Sequence, residues 1–187
     1  MSTTPEQRLH MARDIINFEA RRDKHGHLSV YKLPKNDGGG RYEVAGINEK
    51  YDGPAVRKLV ALLSEEKFDE AEAYAEEYIA GNTDPASLLS DIPRLQSYLR
   101  DTVFNRGQRG ATITLQMALG VPADGSWGPK SKAAMLKAEK KPDELLADLR
   151  KARERYERER VGVRQNFWKG LVNRWDGALR IAKSYPI

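Results

Sequence analysis

Residues 111–129, Ala111-Thr-Ile-Thr-Leu-Gln-Met-Ala-Leu-Gly-Val-Pro-Ala-Asp-Gly-Ser-Trp-Gly-Pro129, set the pattern for the chain. Ala111 to Leu119 reads as a helix, and Gly120 stands at C′, where a left-handed residue closes a helix. Pro129, suited to a first helical position, opens a short helix to about Ala138. The same punctuation extends outward. Upstream, Pro54 opens a helix through about Leu63, and Phe68 to Ile79 forms another closed by Gly81. Asp84-Pro85 starts a short one, and Asp91 with Pro93 opens one running to about Asn105. Downstream, Pro142 opens a long charged helix. Gly162 breaks it before a last amphipathic helix carrying Phe167, Leu171, Trp175, Leu179 and Ile181, whose apolar residues, with Trp168, read as packing. The fold class is mainly α.

The N-terminus begins with a helix. Thr4 is suited to N-cap it, Pro5 takes its first position, and Glu6 adds negative charge to the first turn. Leu9, Ala12 and Ile16 make one apolar stripe, flanked by Met11, Ile15 and Phe18. Glu19 continues the first stripe, three residues after Ile16, near the expected helix end. Beyond it, Leu28 to Leu33 alternates as a strand does. Arg41 to Ile47 is its expected return partner across the glycine-rich loop Pro34–Gly40. This hairpin is the one convincing β signal.

The chain has 187 residues, no cysteine, 32 Lys+Arg against 27 Asp+Glu, and a formal net charge of +5. Absence of cysteine excludes disulfides, thiolate zinc sites and a Cys nucleophile. No apolar run reaches the roughly 18 residues of a membrane span. No uninterrupted apolar segment near the N-terminus marks a secretory signal, so synthesis in the cytoplasm is expected. The basic balance favours an anionic partner: nucleic acid, an anionic membrane or the bacterial cell wall. The helix from Lys137 to Arg160 mixes acids among its cations, as a solvated face does. Without a helix-turn-helix signature or an aromatic-interleaved sheet, nucleic acid is the minor alternative. Asp23, His25 and His27 alternate, but nothing completes a metal site. No serine elbow occurs, and neither metal nor cofactor is expected.

Glu19 is the general-acid candidate. A carboxyl on an apolar stripe near a helix C-terminus is desolvated and faces negative dipole potential, both of which favour its protonated form. The plainer reading is a helix-end acid paired with Arg13, Arg21 or Arg22. Asp37 and Glu43 flank the three glycines, where acids can hold a water or steady a cation. The plainer reading of Asn36-Asp37-Gly38 is a hairpin turn.

Asp101, Asn105, Leu115, Gln116, Ala118, Leu119, Gly120, Asp124, Gly125, Gly128 and Pro129 together resemble a known pattern. It is the predicted peptidoglycan-binding region on the C-terminal side of glycoside hydrolase family 108 proteins. These are N-acetylmuramidases found as phage lysozymes and secretion-activator proteins. At the front the resemblance is looser. The family's Glu-Gly-Gly-Tyr reads Glu19-Ala20-Arg21 here, keeping the acid and losing the glycines and tyrosine. Its Asp-Pro-Gly-Gly turn reads Asp37-Gly38-Gly39-Gly40, Gly46-Ile47 follow, and Glu43 lies near the family's threonine. The likeness covers about residues 6 to 182.

The resemblance implies a lysozyme-like, two-lobed helical fold, with a catalytic lobe over 1–105 and a helical peptidoglycan-binding lobe over 106–187. The stretch Asn105–Gly110 is the seam, unless the whole forms a single compact domain. It implies an endolysin-like hydrolase of the β-1,4 bond between N-acetylmuramic acid and N-acetylglucosamine. Glu19 would protonate the leaving oxygen, with Asp37 or Glu43 as the second carboxylate. Tyr42, Asn105, Gln116 and Trp127 would line the cleft, Tyr42 and Trp127 by stacking on sugar faces. Stereochemistry, and muramidase against glucosaminidase, stay open. The expected protein is a monomer that acts on the wall from the periplasm, reached through a holin or secretion machinery. A non-catalytic peptidoglycan binder is the main alternative.

Overall fold

The structure, a computed structural model, describes residues 3–34, 40–163 and 165–187, apart from the side chain of Asn166. It is mainly helical, with a small antiparallel sheet near the N-terminus. Its elements are α1 (Pro5–Glu19), β1 (Tyr31–Lys32), β2 (Tyr42–Val44), β3 (Ile47–Asn48), α2 (Gly53–Ser64), α3 (Phe68–Thr83), a 3₁₀ turn (Asp84–Leu88), α4 (Pro93–Ala118), α5 (Pro129–Ala138), α6 (Pro142–Tyr156) and α7 (Gln165–Ala182). The chain forms two compact units: Leu9–Gly81, and Asn82–Ile187 with the start of α1 through Arg8. The expected seam at Asn105–Gly110 lies within the second unit, inside α4.

Helix α1, whose first turn through Arg8 belongs with the second unit, starts as its sequence predicts. Thr4 Oγ1 accepts from Gln7 N at 3.1 Å while Gln7 Oε1 accepts from Thr4 N at 3.0 Å, a reciprocal capping box. Met11, Ala12, Ile15 and Ile16 are buried, whereas Phe18 is exposed. Arg13 and Arg22 make paired contacts to Glu76 and Glu72 of α3, the shortest at 2.6 and 2.7 Å.

The expected hairpin is a three-stranded sheet in the order β1-β2-β3. The segment read as one strand through Ile47 folds back after Val44, because Ala45 and Gly46 both take positive φ (53° and 76°). Two such residues suit a tight hairpin turn between right-twisted strands. Leu28 only bridges Arg22, so β1 is shorter than expected. Val44 and Ile47 are buried, and α2 packs against β2 and β3. Asp52 caps α2 by accepting from Ala55 N at 3.1 Å and also accepts from the Tyr78 hydroxyl.

In the second unit, the two helices expected at 93–105 and 111–119 are one run, α4, broken only where Gly107 takes φ 67° and ψ 172°. Helix α4 packs against α6, α7 and the 3₁₀ turn. Its Leu95, Tyr98, Leu99 and Leu115 meet Leu146 and Leu149 of α6 and Ala178 of α7 in the core. Trp175 joins the buried residues as its helical stripe predicts, but Phe167 is 64% exposed. It stands where α7 has just left the turn from α6, beyond the part of the helix that packs.

Candidate functional site

Glu19 is the last residue of α1 and is half-buried. It lies three and four residues after Ile16 and Ile15, which are 0% and 2% exposed, so helical spacing keeps its carboxyl on the edge of the buried stripe. Immediately after it the chain turns: Ala20 N donates to Ile16 O at 2.7 Å, and Ser29 N donates to Arg21 O at 2.9 Å. That ladder brings Arg21 to β1, where its guanidinium lies 3.5 Å above the centroid of the Tyr31 ring.

The sheet register then decides which side chains share a face. Tyr31 pairs with Glu43, and Glu43 pairs with Asn48. Directly opposed residues project to the same side. Tyr31, Glu43 and Asn48 therefore form one row across three strands, with Arg21 stacked over its first member. Tyr42 belongs to the opposite face, with the buried Val44 and Ile47. Tyr42 and Glu43, both half-buried, are thus neighbours in sequence on different faces. Asp37 lies outside the described residues. Sequence reasoning offered Arg21 only as a partner for Glu19 and missed Tyr31 and Asn48. Their signal is cross-strand register, which no local pattern supplies.

The Asp23, His25 and His27 constellation is a turn. Asp23 Oδ1 accepts from the backbone N–H of His25 and His27 at 2.8 and 2.9 Å. The His27 ring stacks on Phe68 with centroids 3.8 Å apart. Among the described residues, no group of three His, Asp or Glu side chains is placed to hold a metal.

Asn105, Gln116 and Trp127 belong to the second unit. Asn105 donates to Asp101 O at 2.9 Å. Gln116 is 1% exposed and is committed to internal bonds. Its amide nitrogen lies 2.8 Å from Asp124 Oδ1, 2.9 Å from Ser126 O and 3.0 Å from Ser131 Oγ, and its oxygen accepts from Gly125 N at 2.8 Å. It shapes the Asp124–Ser131 loop from inside. Hydrogen bonds from Ser126 N–H and Gln116 hold the Asp124 carboxyl below its ordinary pKa. Trp127 is half-buried against the core. It also lines a groove of about 310 Å³ with Ser90, Asp91, Lys132 and Leu136.

Asp101, an anchor of the C-terminal pattern, is buried between Arg153 (2.5 Å) and Arg174 (2.7 Å), joining α4 to α6 and α7.

No family model matches the chain, and no curated protein matches it. Among solved structures it is similar to Brucella abortus SagA, with a TM-score of 0.66 over 97% of each chain at 20% identity. At that identity the likeness is one of fold, and it extends over almost the whole of both chains.

Proposed function

We propose that this chain is a peptidoglycan hydrolase that cleaves the β-1,4 bond between N-acetylmuramic acid and N-acetylglucosamine, with Glu19 as proton donor. The observation that carries this reading is the place of Glu19: the last residue of α1, half-buried on the stripe of Ile15 and Ile16. A general acid works from a site where water is partly excluded and the carboxyl is held by a rigid element. Helix α1 provides both. Glu43, in the row with Tyr31 and Asn48, is the second carboxylate, and Asp37 is its rival. A carboxyl separation of about 5 Å gives retention of configuration, and about 6.5–9.5 Å inversion through an activated water. The unit Leu9–Gly81 carries the chemistry. The unit from Asn82 holds the wall, with the groove beside Trp127 as its sugar contact. The fold shared with SagA supports this layout, as does the pattern Asp101 to Pro129. The enzyme acts as a monomer on the wall, reached through a holin or secretion machinery.

The test is digestion of purified sacculi with mass analysis of the fragments. Glu19→Gln keeps the shape and removes the proton, so release of reducing ends should fall by about 10²–10⁴-fold. Unchanged release would overturn the assignment. The identity of the new reducing end separates a muramidase from a glucosaminidase. A second reading, a wall binder without turnover, is favoured by one observation. Arg21, which stands where the resembled family has glycine, is stacked on Tyr31 beside the row that carries Glu43. Sacculus binding by the wild type with no reducing ends between about pH 4 and 8 would establish that reading.

A further inference from the structure

We propose that the apex of the α6–α7 hairpin is a docking surface for an anionic lipid bilayer. Two contacts define the hairpin. The Arg158 guanidinium lies 4.3 Å over the Trp168 ring, and Arg150 pairs with Asp176 at 2.6 Å. Moving back from Arg158, in the turn that follows α6, to Arg150 within α6 moves the partner forward along α7 by the same number of residues. The two segments are therefore antiparallel, and their turn centres on Val163.

At this apex Val161, Val163 and Phe167 are 41%, 46% and 64% exposed. Gly162 between the two valines takes φ 94° and ends the helical turn that contains Val161. In the same stretch Arg155, Arg158, Arg160 and Lys169 are exposed; Arg155 pairs with Glu159 at 2.7 Å and Arg158 with Glu154 at 2.8 Å, so the surplus positive charge is that of Arg160 and Lys169. Glu157 is buried and bound by Arg106 at 2.8 Å, so it does not offset that charge at the surface. Trp168 follows Phe167, half-buried, edge-on to Trp175 with centroids 5.6 Å apart.

An apolar point beside a surplus of positive charge matches the chemistry of a bilayer boundary. Acyl chains take up the valines and phenylalanine, and lipid phosphates face the guanidinium and ammonium groups. An indole just behind the point belongs at headgroup depth. A second copy of this chain fits poorly, because it would bring the same surplus cations, Arg160 and Lys169, together. Nucleic acid would use the cations but leave the valines in water. No helix among the described residues is long and apolar enough to cross a membrane, so the contact is peripheral. All these residues lie in the unit from Asn82, and the inference does not depend on the hydrolase reading.

The test is flotation of the full chain with phosphatidylcholine vesicles, with and without about 30% phosphatidylglycerol. The chain should float with the phosphatidylglycerol vesicles, with Trp emission shifted to the blue. It should not float with phosphatidylcholine alone, and salt raised from about 50 to about 300 mM should release it. Val163→Ser with Phe167→Ser should weaken binding at least about tenfold. Arg160→Gln with Lys169→Gln should abolish the preference for phosphatidylglycerol. Both variants alter exposed side chains, so their melting temperatures should match the wild type. Three results would overturn the proposal: no flotation with phosphatidylglycerol vesicles, flotation unchanged in the Val163/Phe167 variant, or tighter binding to DNA, sacculi or a second copy through these residues at equal salt.

Discussion

Asp101 is the clearest case of a residue whose work is set by its surroundings. Burial disfavours its charge, but the guanidinium groups of Arg153 and Arg174 outweigh that and hold its carboxyl below the ordinary pKa of 3.8. A carboxyl whose pKa is lower in the folded than in the unfolded state stabilises the fold above the unfolded value. That contribution fades as pH falls through the folded value. Asp101→Asn leaves two guanidinium groups without their counter-charge. At pH 7 it should cost about 3–5 kcal/mol of unfolding free energy. In urea titrations the variant should also lose less stability than the wild type below about pH 4. Gln116 is the uncharged parallel, since its amide serves the Asp124 loop from within. Gln116→Ala should cost about 1–3 kcal/mol by stranding those partners, measured by the same titration. Both residues were visible in the sequence as anchors of a pattern. Neither role was, because burial and partners from α6, α7 and the following loop are not local properties.

Among the elements, α4 depends on two glycines for different reasons. Gly107 takes φ 67° with open space around the position a Cβ would occupy, so its constraint is the backbone alone. Gly107→Ala should destabilise by about 1–3 kcal/mol from conformational strain. Gly110 is limited by close approach: a Cβ there would lie 2.6 Å from Arg106 Cβ and 3.1 Å from the Tyr156 hydroxyl. Gly110→Ala should cost about 1–3 kcal/mol through forced repacking. Gly170, exposed in α7 with nothing within 4 Å, is the control. There the same change should stabilise by about 0.5–1 kcal/mol through helix propensity. Chemical denaturation midpoints separate the three. Most helix starts and stops were legible, because caps, prolines and C′ glycines act within a few residues, but α3 runs through Gly81 to Thr83 and α4 runs past Asn105 to Ala118. The third strand was not legible, because its turn needs Ala45, an ordinary L-residue, to take φ 53°.

For the whole molecule, the formal net charge of +5 is a statement about association. The proposed attraction to an anionic wall would be screened over about 10 Å at 0.1 M salt, so sacculus binding should weaken several-fold between about 50 and 300 mM salt. Salt-independent binding in pull-down assays would mean that uncharged contacts dominate. The sequence by itself determined the helical class, the boundaries of most helices and the place of Glu19 on the buried stripe of α1. Those follow from capping and from a period of 3.6 residues, both of which act along the chain. Only the tertiary structure decided that Glu43 shares a face with Tyr31 and Asn48, that Arg21 lies over that row, and that Gln116 and Asp101 are spent inside the second unit. Register and burial arise between residues far apart in sequence, and a local pattern carries no information about which of them will meet.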